Sequence, residues 1–275
     1  MEIVFNKLSY TENPKTSSEK KYLEDVDLSI EQGSIVGFLS DDLSIIGKLL
    51  LAIKRPSKGK LKIDKMTIKR TSHINNVNLL RKKIGFVYAS GLEFLCKSVK
   101  EEIRSTMKNY GYRTSNVSQH IVDSLKLVGL NEKVLDRDPN TLSYTEKKKV
   151  MLACVMSYNP SVLLLEDFDK GLSYKEREYF RKLFLKLRTK FNKTIILITK
   201  DLTAMFDLVD KLYFINKGKL IVSGGKEIFY DDELYKYVEM PKIVEFTKYA
   251  NDCGHNIQQY TDIKELIKEL YRNVK

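Results

Sequence analysis

Tryptophan is absent from this chain, and cysteine, histidine and proline are scarce: three, three and five residues among 275. Cys96, Cys154 and Cys253 lie far apart in no metal-binding or redox spacing, and His73, His120 and His255 are equally scattered. A disulfide-stapled fold, a redox pair and a His/Cys metal cluster are therefore excluded as organising features, and free thiols in a reducing compartment are expected. No apolar run approaches the roughly twenty residues that a membrane span needs, and no signal-peptide pattern leads the chain. The expected setting is the cytosol, or the inner face of a membrane as a peripheral protein. Acidic residues are outnumbered, 36 Asp+Glu against 48 Lys+Arg, for a net charge of +12. Such a balance suits nucleic acid, anionic lipid or a phosphorylated ligand. The lysines, however, are spread over expected helices and turns, with no basic arm and no aromatic interleaving, so they read as solvated faces and no nucleic-acid partner is expected. What is present is enough apolar sequence, 43%, for one large α/β domain with a small appendage.

The most informative stretch runs from Thr141 to Leu172. Ser143 followed three residues later by Glu146, ahead of a helical run, is a capping box, which turns the first backbone N–H groups of a helix outward. Val162 to Leu165 is continuously apolar, as in a strand covered on both faces of a parallel sheet. Glu166 and Asp167 then fall at the C-terminal edge of that strand, where open α/β sheets place their ligands.

These residues resemble the ATPase subunits of ABC transporters. The family's signature, Leu-Ser-Gly-Gly-Gln at a helix start, stands here as Leu142-Ser143-Tyr144-Thr145-Glu146. Its Walker B strand, four apolar residues then Asp-Glu, stands as Val162 to Leu165 followed by Glu166-Asp167. The resemblance implies a P-loop NTPase-like α/β cassette with a helical subdomain, ATP and magnesium as ligands, and a second ATPase subunit and a transmembrane coupling subunit as partners. It also shows that the residues of the chemistry are mostly substituted. Glu166 replaces the aspartate that orders magnesium, and Asp167 the glutamate that polarises water. A carboxyl moved by one methylene is displaced by about 1 Å, which can cost on the order of a hundredfold in rate. Tyr144 and Thr145 replace two glycines, adding bulk where a partner's ATP phosphates approach. Ser143 and the helix start remain for weak anion binding.

The phosphate loop is the most altered element. A working loop, Gly-x-x-x-x-Gly-Lys-Ser/Thr, wraps phosphates in backbone N–H groups and adds a mobile cation. After the apolar strand Ser34 to Leu39 this chain has Ser40-Asp41-Asp42-Leu43-Ser44-Ile45-Ile46-Gly47-Lys48-Leu49. Anchored on Gly47 and Lys48, the loop has Asp42 for its first glycine and Leu49 for the hydroxyl that holds magnesium. Anchored instead on downstream Pro56 and Gly59, it has Leu43 where lysine belongs and is about three residues short. An aspartate about 4 Å from a phosphate charge is repelled by roughly 4 kcal/mol at an effective dielectric near 20. Each lost charge-assisted hydrogen bond forfeits about 1.5 to 3 kcal/mol. Against the roughly 4 to 8 kcal/mol of millimolar to micromolar binding, that deficit is decisive.

Three further family positions differ. Tyr10, or else Glu12, stands where an aromatic stacks on adenine, and a surface tyrosine on an edge strand reads equally well. Ala89 stands where a glutamine touches magnesium, and Lys200, after the apolar strand Thr194 to Thr199, stands where a histidine meets the γ-phosphate. Ser173 replaces the aspartate of the loop after Walker B. Along the rest of the chain the pattern predicts an edge strand over Met1 to Tyr10, a loop through Lys20, a strand near Val26 to Ile30, a helix over Ile45 to Lys54, strands in Leu61 to Ile68, a buried strand over Arg81 to Tyr88 and helices over Ser90 to Asp138. In this last segment Val117, Ile121, Leu125 and Val128 form an apolar stripe stopped by Gly129. A hairpin follows at Lys211 to Gly224, then a helix led by Thr261 with Ile263, Leu266, Ile267 and Leu270 on one face. The division expected is a cassette over 1–225, with its helical subdomain at about 90–158, and an appendage over 226–275. That tail resembles the dimerising appendage of the paired ATPases of energy-coupling-factor transporters. Three functions follow: an ATPase-like subunit with lost or weak hydrolysis and a scaffolding or regulatory role in micronutrient uptake, a slow ATPase using Glu166, Asp167 and Lys200, or a nucleic-acid-associated relative.

Overall fold

The computed structural model describes residues 1–40, 44–72, 77–88 and 93–273. The strands are β1 (Ile3–Glu12), β2 (Lys20–Ile30), β3 (Ile35–Ser40), β4 (Lys58–Ile63), β5 (Met66–Ile68), β6 (Ile84–Tyr88), β7 (Val162–Glu166), β8 (Thr194–Thr199), β9 (Lys211–Asn216) and β10 (Lys219–Gly224). The helices among the described residues are α1 (Ser44–Leu50), α2 (Val77–Lys83), α3 (Val99–Asn109), α4 (Val117–Leu127), α5 (Tyr144–Ser157), α6 (Tyr174–Phe191), α7 (Asp232–Tyr235), α8 (Lys242–Asp252) and α9 (Ile263–Asn273). An antiparallel sheet has the order β2-β1-β4-β5, and a second sheet the order β10-β9-β3-β8-β7-β6. In the latter β9, β3, β8, β7 and β6 run parallel, and β10 pairs antiparallel with β9.

The apolar strands explain the layering. In β7, Leu163 and Leu165 point into a core shared with α3 to α6, while Val162 and Leu164 point into a second core under α1 and the antiparallel sheet. β8 divides its Ile195 and Leu197 from its Ile196 and Ile198 in the same way. A period of two with both faces apolar is what a strand needs when helices and a second sheet cover it.

Several expectations are corrected. β1 lies between β2 and β4, so the Met1 to Tyr10 segment is an interior strand and not an edge, and β2 already begins at Lys20. The helix expected to reach Lys54 stops at Leu50, because Ala52 takes a left-handed φ of 52° and the Ile53 N–H returns to the Lys48 carbonyl; this closure satisfies the end carbonyls before Pro56 is reached. Arg81 to Lys83 end α2, and strand β6 starts only at Ile84. The Ser90 to Asp138 segment carries α3 and α4, broken between them at Gly111, where φ is +67°. Its stripe is where the pattern placed it, with Ile121, Leu125 and Val128 fully buried and Gly129 in the left-handed region. Of the α9 stripe, Leu266 is buried and Leu270 packs beside it in a small cluster with Ala250 and Ile257, while Ile263 and Ile267 are 57% and 44% exposed.

Candidate functional site at the strand edge

The C-terminal ends of β3, β7 and β8 bring Ser40, Glu166, Asp167 and Lys200 to one edge. Ser40 ends β3, Glu166 ends β7, and Lys200 follows β8. Ser40 and Lys200 line the same small depression of about 60 Å3, closed by Tyr237 and Val238 from the C-terminal segment. Burial pushes the half-buried Glu166 carboxyl above its usual range, Asp167 adds to the rise, and the Lys48 ammonium pulls it back. Asp167 sits in the left-handed region with φ 45°, its N–H bonded to the Ile198 carbonyl at 2.8 Å. Asp41, Asp42, Leu43 and Ala89 lie outside the described residues.

The described residues after the loop show where Gly47 and Lys48 lie. α1 begins at Ser44, so Gly47 and Lys48 stand inside the helix instead of opening it. Gly47 is buried, and a Cβ there would sit 3.4 Å from Leu164 Cδ2, in ordinary contact with β7. Tyr10 is 6% exposed, its ring 6.0 Å from that of Tyr22, so the surface-tyrosine reading is corrected and little ring face is left for an adenine. The neighbouring Glu12 carboxylate is engaged by Lys54 Nζ at 3.1 Å and the Tyr22 hydroxyl at 3.2 Å.

The signature segment caps α5 as its sequence predicts. The Ser143 N–H and hydroxyl donate to Glu146 Oε2 at 3.0 and 2.7 Å, and the Glu146 N–H returns to the Ser143 oxygen at 3.4 Å. The Ser143 hydroxyl and N–H hold the Glu146 carboxyl below its usual range. A carboxyl whose folded value is depressed stabilises the fold above its unfolded value, near 4.3, and that contribution is lost as pH falls through the folded value. Ser143→Ala is expected to cost about 1 kcal/mol in urea unfolding at pH 7 and to flatten the acid limb of the stability curve. Leu142 is buried, Thr145 half-buried, and Tyr144 is 44% exposed.

Tyr144 does not direct its bulk simply outward. A Cβ on Gly171 would come within 2.8 Å of the Tyr144 ring, so Tyr144 lies over its own chain's loop after β7, where Gly171 has φ +76° and no room for a side chain. Beneath it is a residue that sequence reading missed. Lys148 is 0% exposed, and its Nζ donates to the carbonyls of Asp167 at 3.2 Å, Phe168 at 2.9 Å and Lys170. The ammonium also lies 4.9 Å from the Tyr144 ring centre and 5.7 Å from that of Phe168. Desolvation lowers its pKa to about 8, against the pull of Asp169 and Asp167. The available signal was helical spacing: Lys148 is four residues from Leu152, on the buried side. Ser173, read only as a lost aspartate, likewise forms a second capping box with Glu176 and starts α6.

A parallel sheet with a capped signature helix, two carboxylates ending the adjacent strand and a helical layer beside them defines a nucleotide-binding cassette of the P-loop class. The family model described as ABC transporter matches residues 23–168, and the chain belongs to that family. The relatives include the energy-coupling factor transporter ATP-binding protein EcfA2 of Streptococcus agalactiae, 30% identical over 94% of both chains. The protein of that name from Enterococcus faecalis is 29% identical over 94% of this chain and 92% of its own. Among solved structures, a dimeric ATP-binding cassette, MJ0796, in a post-hydrolysis state bound to ADP and Pi superposes with a TM-score of 0.73 at 19% identity, over 82% of this chain and 98% of that one. The structure of cbiO1 from Clostridium perfringens, part of the ABC transporter complex cbiONQ, gives 0.71 at 22% identity, over 90% and 98%. These two likenesses establish the shared fold.

Proposed function

We propose that this chain is an ATPase-like subunit of an energy-coupling-factor transporter for micronutrient uptake, in which nucleotide binding and hydrolysis are weak or lost and the role is scaffolding or regulatory. The observation that carries the reading is the placement of Gly47 and Lys48 inside α1, where neither stands at the opening of the helix. A triphosphate cradle needs successive free N–H groups and a lysine at the opening of the helix. The residues at this edge fit magnesium-ATP poorly, and no catalytic step is assigned to it. Glu146 adds to the mismatch, because a carboxylate already satisfies the start of α5, where a partner's phosphate would seat.

The cassette over 1–225 would pair with a second ATPase subunit, the 226–275 appendage contributing to the dimer. The exposed Ile263 and Ile267 of α9 support a covered face there. A groove of about 540 Å3 between β6, α3 and α5, lined by Phe86, Phe94, Tyr110 and Met151, is the proposed seat of a transmembrane coupling subunit. Leu95, 95% exposed, stands beside it. No helix among the described residues is long and apolar enough to cross a membrane, so attachment to the cytoplasmic face would come through that subunit. The other catalytic reading, a slow ATPase, draws support from the field of Lys48 at Glu166. Calorimetric titration of the purified chain with magnesium-ATP is expected to give no dissociation constant tighter than about 1 mM. Micromolar binding would overturn the reading. If the assembled complex hydrolyses ATP, loss of that activity in Ser143→Ala with little effect of Lys48→Ala would keep this chain in a supporting role, and the reverse would establish the slow ATPase.

A further inference from the structure

A cavity of about 380 Å3 lies between the cassette and the C-terminal segment, away from the small depression at Ser40 and Lys200. Its walls are the rings of Phe168, Phe180, Phe184 and Phe206 with the ends of β7 and β8, and its roof is Pro241 to Ile243 and Thr261 to Lys264. This volume and the mixture of aromatic walls with a few polar groups are those of small-molecule sites, which favour such junctions. The two ends differ in charge. At one, Arg181 Nε is shared between Glu178 at 3.0 Å and Asp207 at 3.4 Å, Lys264 of the roof reaches Glu178 at 3.6 Å, and Asp262 adds its field at Arg181, so Glu178 and Asp207 each have a cation within 4 Å. At the other, the half-buried Asp169 has no ion-pair partner within 4 Å among the described residues. Burial holds its carboxyl above the usual range, the fields of Asp201 and Asp167 add to the rise, and Arg177 opposes them. The Lys148 ammonium is nearby but bound to carbonyls of the same loop.

We propose that this cavity binds a small cationic amphiphile, with an amine head at Asp169 and an aromatic or aliphatic body among the four phenylalanines. The carboxylate supplies a charge-assisted hydrogen bond, and the ring faces attract the head as well as the body. An occupant touches the loop after Asp167, the Thr199 end of β8 and the roof at once, so it ties the C-terminal segment to the strand edge.

The test is fluorescence titration of the full chain at pH 7 with dansylcadaverine, a naphthalene carrying a primary amine. Saturable, blue-shifted binding with a dissociation constant of about 10 to 100 µM is expected. Asp169→Asn should weaken it about fivefold or more, and the anionic probe 8-anilinonaphthalene-1-sulfonate should bind less well by a similar factor. Ala204→Phe, which fills the cavity from its wall, should abolish binding in a variant with wild-type circular dichroism. If Ala204→Phe fails to fold, the Asp169→Asn comparison decides alone. No saturable binding up to about 1 mM, an unchanged constant in Asp169→Asn, or equal binding of the anionic probe would each overturn the proposal.

Discussion

Phe180→Ala is expected to lower the unfolding free energy by about 3 to 5 kcal/mol, the range for truncating a buried aromatic. Phe180 is 2% exposed and meets the Phe168 ring edge-on, with centres 4.8 Å apart at 88°, and it also stacks with Phe184 at 6.0 Å and 28°. Phe168 follows Asp167 directly, so this cluster is the floor beneath the loop that carries the second carboxylate. In a chain of this length each kcal/mol shifts the melting midpoint by about 2 to 4 °C. A drop on the order of 10 °C in a thermal melt is the expected reading. Phe180→Leu, which keeps most of the apolar volume, should recover more than half of the loss. A midpoint unchanged in Phe180→Ala would mean that the aromatic cluster is not packed as described.

Lys148→Met should destabilise by about 2 kcal/mol in urea unfolding at pH 7, by a different route. Methionine keeps the length and apolar stem of lysine but leaves the Phe168 and Lys170 carbonyls without a donor, while that of Asp167 keeps the Lys170 N–H, at about 1 to 3 kcal/mol for each bare carbonyl that water does not reach. Relief from burying an ammonium offsets part of this. The pH dependence separates the two terms. The folded pKa of Lys148, about 8, is below the ordinary lysine value of 10.5, so between these values the unfolded chain holds the proton and the folded chain does not. Stability from this group therefore rises with pH across that window and is level below it. In Lys148→Met that rise should vanish. An equal rise in wild type and variant would assign it to other groups. Hydrogen exchange should also show faster exchange at Lys170 and Leu172 in the variant, because their N–H groups bond within the turn that the ammonium clamps.

The elements that were legible in the sequence share one property: their partners are close in the chain, or their environment is uniform. The Ser143 capping box needs only Glu146, three residues on, and it forms as read. Val162 to Leu165 of β7 and Ile195 to Ile198 of β8 are apolar throughout, which matches strands covered on both faces whichever neighbours do the covering. The carboxylates then had to fall at a strand end, because Glu166 follows Leu165 directly and Asp167 comes after it. The α4 stripe and its Gly129 stop were legible for the same local reason. Ser173 carried the same signal as Ser143, but the family position of an aspartate was weighed ahead of the spacing to Glu176.

What sequence alone determined, then, is the order of strands and capped helices that makes an ABC cassette, since each piece depends on residues within one or two turns of itself. Tertiary structure decided the rest. It set Gly47 and Lys48 inside α1, enclosed β1 and Tyr10 between neighbours, and left Ile263 and Ile267 of α9 exposed. It also turned one of three consecutive lysines into the buried clamp of the loop after Asp167. These outcomes depend on contacts between segments tens of residues apart, and a buried ammonium is tolerated only where distant carbonyls converge on it. No local pattern records that convergence.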